Sequence, residues 1–103
     1  KESFFILLMS RSNKILGFNQ ISSGGISGTI TDIRLIFQAA IKSNACGMIL
    51  AHNHPSGALN PSEADKLITK KVFDAGKILD ITVLDHIIIT QDSYFSFADE
   101  NLM

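Results

Sequence analysis

The chain has 103 residues, of which 46% are hydrophobic and 18% are charged, and its formal net charge at pH 7 is −1. This length fits one domain, residues 1–103, and the apolar content excludes a disordered chain. A single cysteine excludes a disulfide scaffold and suits a cytoplasmic location, and no apolar stretch approaches the roughly 20 residues of a membrane span.

Hydrophobic periodicity predicts seven elements in the order β-β-α-β-α-β-β. The predicted strands cover residues 4–9, 15–21, 48–50, 81–90 and 94–97, and the predicted helices cover about 32–43 and 62–79. Three glycines break the second strand, namely Gly24, Gly25 and Gly28. Thr31 is the expected N-cap of the first helix, with Asp32 in its first turn. This order predicts a mixed sheet with helices packed on it.

Two histidines and an aspartate form the most informative pattern in the sequence. His52 and His54 follow the third predicted strand, and side chains two residues apart in extended backbone point the same way. Asp65 is three residues into the second predicted helix, so its carboxylate reaches the same point if the loop folds back. Three such ligands are typical of a catalytic zinc site, whose fourth position holds a water that the metal activates.

Each half of this pattern also has a purely structural interpretation. Most His-x-His pairs bind nothing, and Ser62-x-x-Asp65 is the pattern of a capping box, in which both side chains serve the start of a helix. The joint occurrence of the two halves is much rarer than either half, and it favours the metal site.

The spacing also matches a family signature. His52-x-His54, seven residues and then Ser62-x-x-Asp65 is the JAMM motif of the MPN+/JAB metalloproteases, and the stretches 49–57 and 83–89 resemble the bacterial RadC family. The tripeptide at 52–54 is unrelated to the HNH nuclease motif, whose residues lie far apart. The resemblance implies an α/β fold of the JAB/MPN (cytidine-deaminase-like) type, with three α-β-α layers and a mixed sheet. It also implies one Zn²⁺ per chain, held by His52, His54 and Asp65.

The same resemblance implies two catalytic residues. Ser62 matches the family serine that helps to stabilise the oxyanion, and this role is compatible with helix capping. The general base is a glutamate on an early strand, and Glu2 matches by position. Glu63 faces elsewhere on the helix and Glu100 lies near the C-terminus. The resemblance thus favours Glu2 as the base, and the alternative is an ordinary solvated residue at a frayed chain end.

Asp85 and His86 interrupt an otherwise apolar strand and should point to opposite faces. His86 could be a fourth ligand, a hydrogen-bonding neighbour of a ligand, or a satisfied core histidine. The last two interpretations are favoured together over the first, because the resemblance gives His86 no ligand role.

We therefore expect a JAMM-type zinc hydrolase that cleaves a peptide or isopeptide bond of a peptide or protein substrate. The alternatives are a DNA-repair or DNA-processing accessory protein and a non-catalytic, metal-stabilised interaction module. Nucleic acid is disfavoured by the net charge, since the clustered lysines fit a solvated helix face: Lys66, Lys70, Lys71 and Lys77. No membrane partner is expected, and a homodimer is possible. The chain begins directly at an apolar run, so we expect a fragment of a longer protein with an upstream domain.

Overall fold

A mixed five-stranded sheet organises the computed structural model, which describes residues 2–23 and 32–103. The elements in chain order are β1 (Ser3–Met9), β2 (Ile15–Ser23), α1 (Ile33–Lys42), β3 (Gly47–Asn53), α2 (Glu63–Leu79), β4 (Thr82–Ile89) and β5 (Tyr94–Ser96). The strands lie in the order β2-β1-β3-β4-β5. β1 pairs antiparallel with β2 and β3, β3 pairs parallel with β4, and β4 pairs antiparallel with β5. The predicted mixed α/β architecture is confirmed.

The core lies between one face of the sheet and the two helices. Alternate residues of β1 are buried on this face, and they form a single apolar cluster with residues of β3, α1 and α2. The cluster includes Phe4, Ile6, Leu8, Ile36, Phe37, Ala40, Met48, Leu50 and Val72. Both helices contribute to this one cluster, so they lie on the same face of the sheet. The described residues therefore form one layer of strands and one layer of helices, whereas three layers are expected. No helix in the described part of the chain is long and apolar enough to cross a membrane.

Most predicted boundaries differ from the observed ones by two residues or fewer, with one consequence for the site. β3 extends to Asn53, so His52 lies inside the strand and only His54 follows it. The prediction that both histidines come after the strand is therefore wrong. The cause is tertiary, because β3 is central and its end pairs on both sides: His52 lies opposite Phe4 of β1 and Asn53 lies opposite Ile89 of β4.

The start of α1 also differs from the prediction. Asp32 is the N-cap, and its carboxylate accepts from the main-chain N–H of Arg34 at 2.9 Å. Asp32 was expected one position further into the helix. The predicted cap, Thr31, and the predicted breaks at Gly24, Gly25 and Gly28 lie outside the described residues.

The connection from α2 to β4 is tight and fixes the helix against the sheet. Asp80 ends α2 in the left-handed conformation, with φ of 58°. The Ile81 main-chain N–H donates to the Gly76 carbonyl at 2.8 Å, and a Cβ at Gly76 would clash with the Ile81 carbonyl oxygen. The absence of a side chain at Gly76 thus allows α2 to pack closely on the start of β4.

Candidate metal centre

The two histidines converge at the carboxyl end of β3. His52 is 4% exposed and its ring stacks on Phe4, with centroids 5.8 Å apart and an interplanar angle of 15°. The Nε2 atoms of His52 and His54 are 2.9 Å apart. The strand period thus brings the two rings to one point, as the His-x-His spacing predicts.

The first turn of α2 brings a carboxylate to the same point. Asp65 Oδ1 lies 3.2 Å from His52 Nε2, and Asp65 Oδ2 lies 3.2 Å from His54 Nε2. The carboxylate is oriented by the helix start, because the Ser62 main-chain N–H donates to Asp65 Oδ2 at 2.7 Å. Asp65 is therefore a cap residue and a neighbour of both histidines at once, so the two interpretations of this residue are compatible.

A second carboxylate, that of Glu2, faces the same pair of nitrogens from the head of β1. Its Oε2 lies 3.9 Å from His52 Nε2 and 4.0 Å from His54 Nε2. Glu2, His52 and His54 thus form a cluster whose ligand atoms all lie within 4.8 Å of one another. The other two glutamates are exposed, as expected: Glu63 and Glu100.

The outer nitrogens of both rings are engaged away from the cluster. His54 Nδ1 lies 2.8 Å from the Ala58 carbonyl oxygen, which can only accept, so Nδ1 carries a proton. His52 Nδ1 lies 2.9 Å from His86 Nε2. When each ring donates from Nδ1, two Nε2 lone pairs face each other at 2.9 Å, and they need a shared cation between them, either a proton or a metal ion.

The donor set fits zinc. Ligand atoms of a tetrahedral zinc site with bonds of about 2.0–2.1 Å lie roughly 3.3 Å apart. The contact of 2.9 Å between the two histidine nitrogens and the contacts of 3.2 Å from each nitrogen to one of the two Asp65 oxygens are close to that spacing, whereas Glu2 lies further out. Two imidazoles and a carboxylate therefore suit one Zn²⁺, and the position of Glu2 suits a group that acts on a molecule beside the metal.

Electrostatics keeps the inner carboxylate ionised and the deepest histidine neutral. Burial alone would raise the pKa of Asp65, but hydrogen bonds from His52 and the Ser62 main chain outweigh it and hold this pKa below its usual range. Burial, with the nearby charge of His52, lowers the pKa of His86 to about 3.

Ser62 occupies the N-cap position of α2, as the capping-box interpretation predicts. Its Oγ accepts from the Asp65 main-chain N–H at 3.1 Å, which completes a reciprocal box with Asp65. Ser62 is exposed, and because Oγ accepts in the cap, its hydroxyl proton remains for donation to another group. The geometry is compatible with the predicted oxyanion role, which stays a prediction.

The structure answers the question left open for Asp85 and His86. His86 is fully buried, and both of its nitrogens are hydrogen-bonded, to His52 and to Thr69, so it is a hydrogen-bonding neighbour of a predicted ligand. Asp85 points to the opposite face and accepts from Ser96 Oγ at 2.6 Å and from the Ala98 main chain at 3.0 Å. Asp85 thus ties β5 and the residues after it to β4.

Two residues near the site were not predicted from the sequence. Thr69 is 2% exposed, and its position one helical turn after a predicted ligand, Asp65, was the only sequence signal for it. Asn53 lies between the histidines and points the other way, and its Oδ1 accepts from the Ser3 main-chain N–H at 2.7 Å. It thereby anchors the backbone next to Glu2.

The clustered lysines are exposed, and two of them have acidic neighbours on the same helix. Lys66 Nζ lies 3.5 Å from Glu63 and Lys70 Nζ lies 3.1 Å from Asp74. All four lie on the exposed surface of α2, which is the predicted solvated face: Lys66, Lys70, Lys71 and Lys77.

The fold and the site together define a class of protein: a small mixed-sheet α/β domain with a His-x-His-Asp cluster at the end of its central strand. A family model described as a RadC-like JAB domain matches residues 1–102. The chain belongs to this family.

Related proteins agree with this assignment. The chain is 54% identical over 101 residues to a UPF0758 protein of Flavobacterium johnsoniae, covering 98% of this chain and 44% of the relative. It is 45% identical over 104 residues to a UPF0758 protein of Porphyromonas gingivalis, covering 100% of this chain and 46% of the relative. A UPF0758 protein of Chlorobaculum parvum is 41% identical, with the same coverage. The chain thus spans a little under half the length of these curated relatives.

Proposed function

We propose that this domain is a zinc-dependent hydrolase of the JAMM type that cleaves a peptide or isopeptide bond. The observation that carries the proposal is the convergence of two histidine nitrogens and two carboxylates on one point, with Asp65 near and Glu2 further out. Two carboxylates beside two imidazole nitrogens form a donor set that favours a divalent cation.

His52, His54 and Asp65 are the residues that would hold the metal. A zinc ion at this position supplies an activated water at neutral pH and polarises a carbonyl oxygen. The proposal includes one zinc per chain and a peptide or protein substrate whose identity is open.

The protein's own groups divide the remaining work. Glu2 Oε2 lies about equally far from both histidine nitrogens, at 3.9 and 4.0 Å, so its carboxylate is placed beside the proposed metal position and further out than that of Asp65. Glu2 accepts a proton from the attacking water and delivers it to the leaving amine. Ser62 donates its hydroxyl proton to the oxyanion while its Oγ continues to cap α2.

The first experiment measures metal content by elemental analysis. The wild-type chain and His54→Ala are purified without metal-affinity resin, with Asn60→Ala as the control in the same loop. We expect about one zinc per chain in the wild type and the control, and almost none in His54→Ala. No zinc in any of them after zinc is added back would contradict the proposal and leave Ser62 and Asp65 as a helix cap.

The second experiment measures turnover of a panel of peptides and isopeptide-linked conjugates by the zinc-loaded, chelated and reloaded chain. Hydrolysis that is lost with the chelator and restored with zinc supports the proposal. A stoichiometric zinc site without any turnover would favour the non-catalytic module. Binding of duplex DNA that persists at about 0.2 M salt would favour the DNA-processing role, because non-specific phosphate contacts weaken steeply with salt.

A further inference from the structure

A buried chain of hydrogen bonds runs from His52 through His86 to the main chain of α2. His52 Nδ1 lies 2.9 Å from His86 Nε2, His86 Nδ1 lies 2.5 Å from Thr69 Oγ1, and Thr69 Oγ1 donates to the Asp65 carbonyl oxygen at 2.6 Å. His86 is 0% exposed and its ring stacks on Phe97, with centroids 4.6 Å apart and an interplanar angle of 9°. The chain therefore links two of the predicted metal ligands through groups that are inaccessible to solvent.

The direction of each bond follows from the number of protons available. A main-chain carbonyl can only accept, so the single hydroxyl proton of Thr69 goes to Asp65 O at 2.6 Å. Thr69 Oγ1 must then accept from His86, which places a proton on His86 Nδ1. A neutral imidazole has one N–H, so His86 Nε2 is left with a lone pair.

That lone pair determines the state of His52. His86 Nε2 can only accept, so His52 donates from Nδ1 across the 2.9 Å contact. Nε2 of His52 is thereby left facing Asp65 and His54, where it can bind a metal ion. His54 reaches the same state through a single bond to the Ala58 carbonyl.

We propose that His86 and Thr69 are positioning residues that keep a proton on His52 Nδ1 and so present His52 Nε2 to the metal. The inference rests on the proposed metal site for its purpose, but the proton positions are a property of the chain itself. The competing arrangement reverses the two bonds of His86 and loses the bond from Thr69 to the Asp65 carbonyl: Thr69 donates to His86, His86 donates to His52, and His52 carries its proton on Nε2, where it opposes metal binding.

Nitrogen-15 NMR of the metal-free chain at mildly alkaline pH distinguishes the two arrangements. We expect His86 to be protonated on Nδ1 only and His52 Nδ1 to carry a proton. A proton on His86 Nε2, or a bare Nδ1 on His52, would overturn the inference. Because this measurement involves no zinc, a failure of zinc binding would count against the proposed function and not against the proton arrangement.

Substitutions of Thr69 test the link to metal affinity. Thr69→Val keeps the shape of the side chain and removes the acceptor for His86, while Thr69→Ser restores it. Thr82→Val, on an exposed position of β4, is the matched control. We expect Thr69→Val to weaken zinc binding about 10-fold or more, as loss of groups behind a metal ligand typically does, and to give mixed histidine tautomers. Thr69→Ser and Thr82→Val should both match the wild type.

His86 itself is tested with a pair of variants. His86→Gln offers an acceptor to His52 and a donor to Thr69, whereas His86→Phe keeps an aromatic ring against Phe97 and offers neither. Zinc affinity should fall about 10- to 100-fold in His86→Phe and be largely rescued in His86→Gln. Equal zinc affinity in Thr69→Val and the wild type, measured by competition with a chelator on variants whose circular dichroism is unchanged, would overturn the positioning role.

Discussion

The two carboxylates of the site have similar exposure and the same charge, but they are held differently. Asp65 is 14% exposed and Glu2 is 18% exposed. Asp65 lies 3.2 Å from each histidine nitrogen, whereas Glu2 lies 3.9 and 4.0 Å away. Asp65 belongs to the first turn of a helix and takes part in its capping box, while Glu2 precedes the first residue of an antiparallel strand.

This difference in attachment matches a difference in task. A metal ligand must stay at bonding distance, and the reciprocal hydrogen bonds of the capping box fix the Asp65 carboxylate at the helix start. A general base must accept a proton and then deliver it to another atom. A longer distance from the histidine nitrogens suits this task, and so does a side chain supported through the neighbouring backbone of Ser3. The different roles that we propose for these two similar side chains thus match the elements that carry them.

The largest expected effect comes from removing the charge of the inner carboxylate. Asp65→Asn keeps the shape and one acceptor for Ser62 but loses a negative ligand, and the metal then loses one of three protein groups. Loss of a group that hydrogen-bonds a metal ligand typically lowers metal affinity about 10- to 100-fold. We expect a larger fall in zinc affinity here, because a ligand itself is changed. Chelator competition measures it, with Asp74→Asn on the exposed side of α2 as the control. Unchanged zinc affinity would mean that Glu2 is the ligand and Asp65 only a cap.

The next effect separates binding from turnover at Glu2. Glu2→Gln preserves size and removes the proton acceptor, so we expect one zinc per chain as in the wild type and turnover reduced about 10²- to 10⁴-fold. Elemental analysis and the peptide or isopeptide assay give the two values, and Glu63→Gln is the exposed control. Full activity in Glu2→Gln would show that the base is another group.

The difference between Asp65 and Glu2 also shows which parts of the site could be predicted from the sequence. His52 lies in β3, His54 follows it directly and Asp65 lies in the first turn of α2, so the strand period and the helical turn determine their directions. Glu2 is brought to the site by the pairing of β1 with β3, where Phe4 lies opposite His52. That pairing joins residues 48 positions apart, so no local pattern contains it, and only the family resemblance suggested the residue.

The boundaries of the helices and strands also show that local sequence patterns do not contain long-range pairing. The end of α2 and the positions of β4 and β5 follow from local periodicity, and the sequence predicts them within two residues. The carboxyl end of β3 depends on hydrogen bonds to two other strands, and the prediction therefore ended this strand too early. Thr69 was missed for a related reason, because its partner His86 comes from β4 and the helix sequence alone does not reveal that contact.

A smaller effect is expected at Ser62, which shares the capping box with Asp65, and it concerns both stability and turnover. Ser62→Ala removes the side-chain cap and should lower the free energy of unfolding by about 1 kcal/mol. Loss of the oxyanion donor should also reduce turnover about 10²-fold, while zinc is retained, because the Ser62 main-chain N–H still holds Asp65. Ser62→Asp separates the two roles: its carboxylate accepts in the cap but cannot donate to an oxyanion, so stability should recover and turnover should not. Chemical denaturation measures the stability and the peptide or isopeptide assay measures the turnover. If both recover, Ser62 has a capping role alone.

The smallest effect is expected at Asn53, which supports the Glu2 side. Its Oδ1 accepts from the Ser3 main-chain N–H at 2.7 Å, next to Glu2 and across from the two histidines. Asn53→Ala removes one hydrogen bond, so the free energy of unfolding should fall by about 1 kcal/mol. Zinc affinity should stay within about twofold of the wild type, whereas turnover should fall by more than the modest loss of stability explains, since the head of β1 is loosened. Asn19→Ala on exposed β2 controls for loss of an asparagine. A fall in zinc affinity equal to the fall in turnover would show that Asn53 supports the histidines, and the contrast between the two carboxylates would then lie in distance alone.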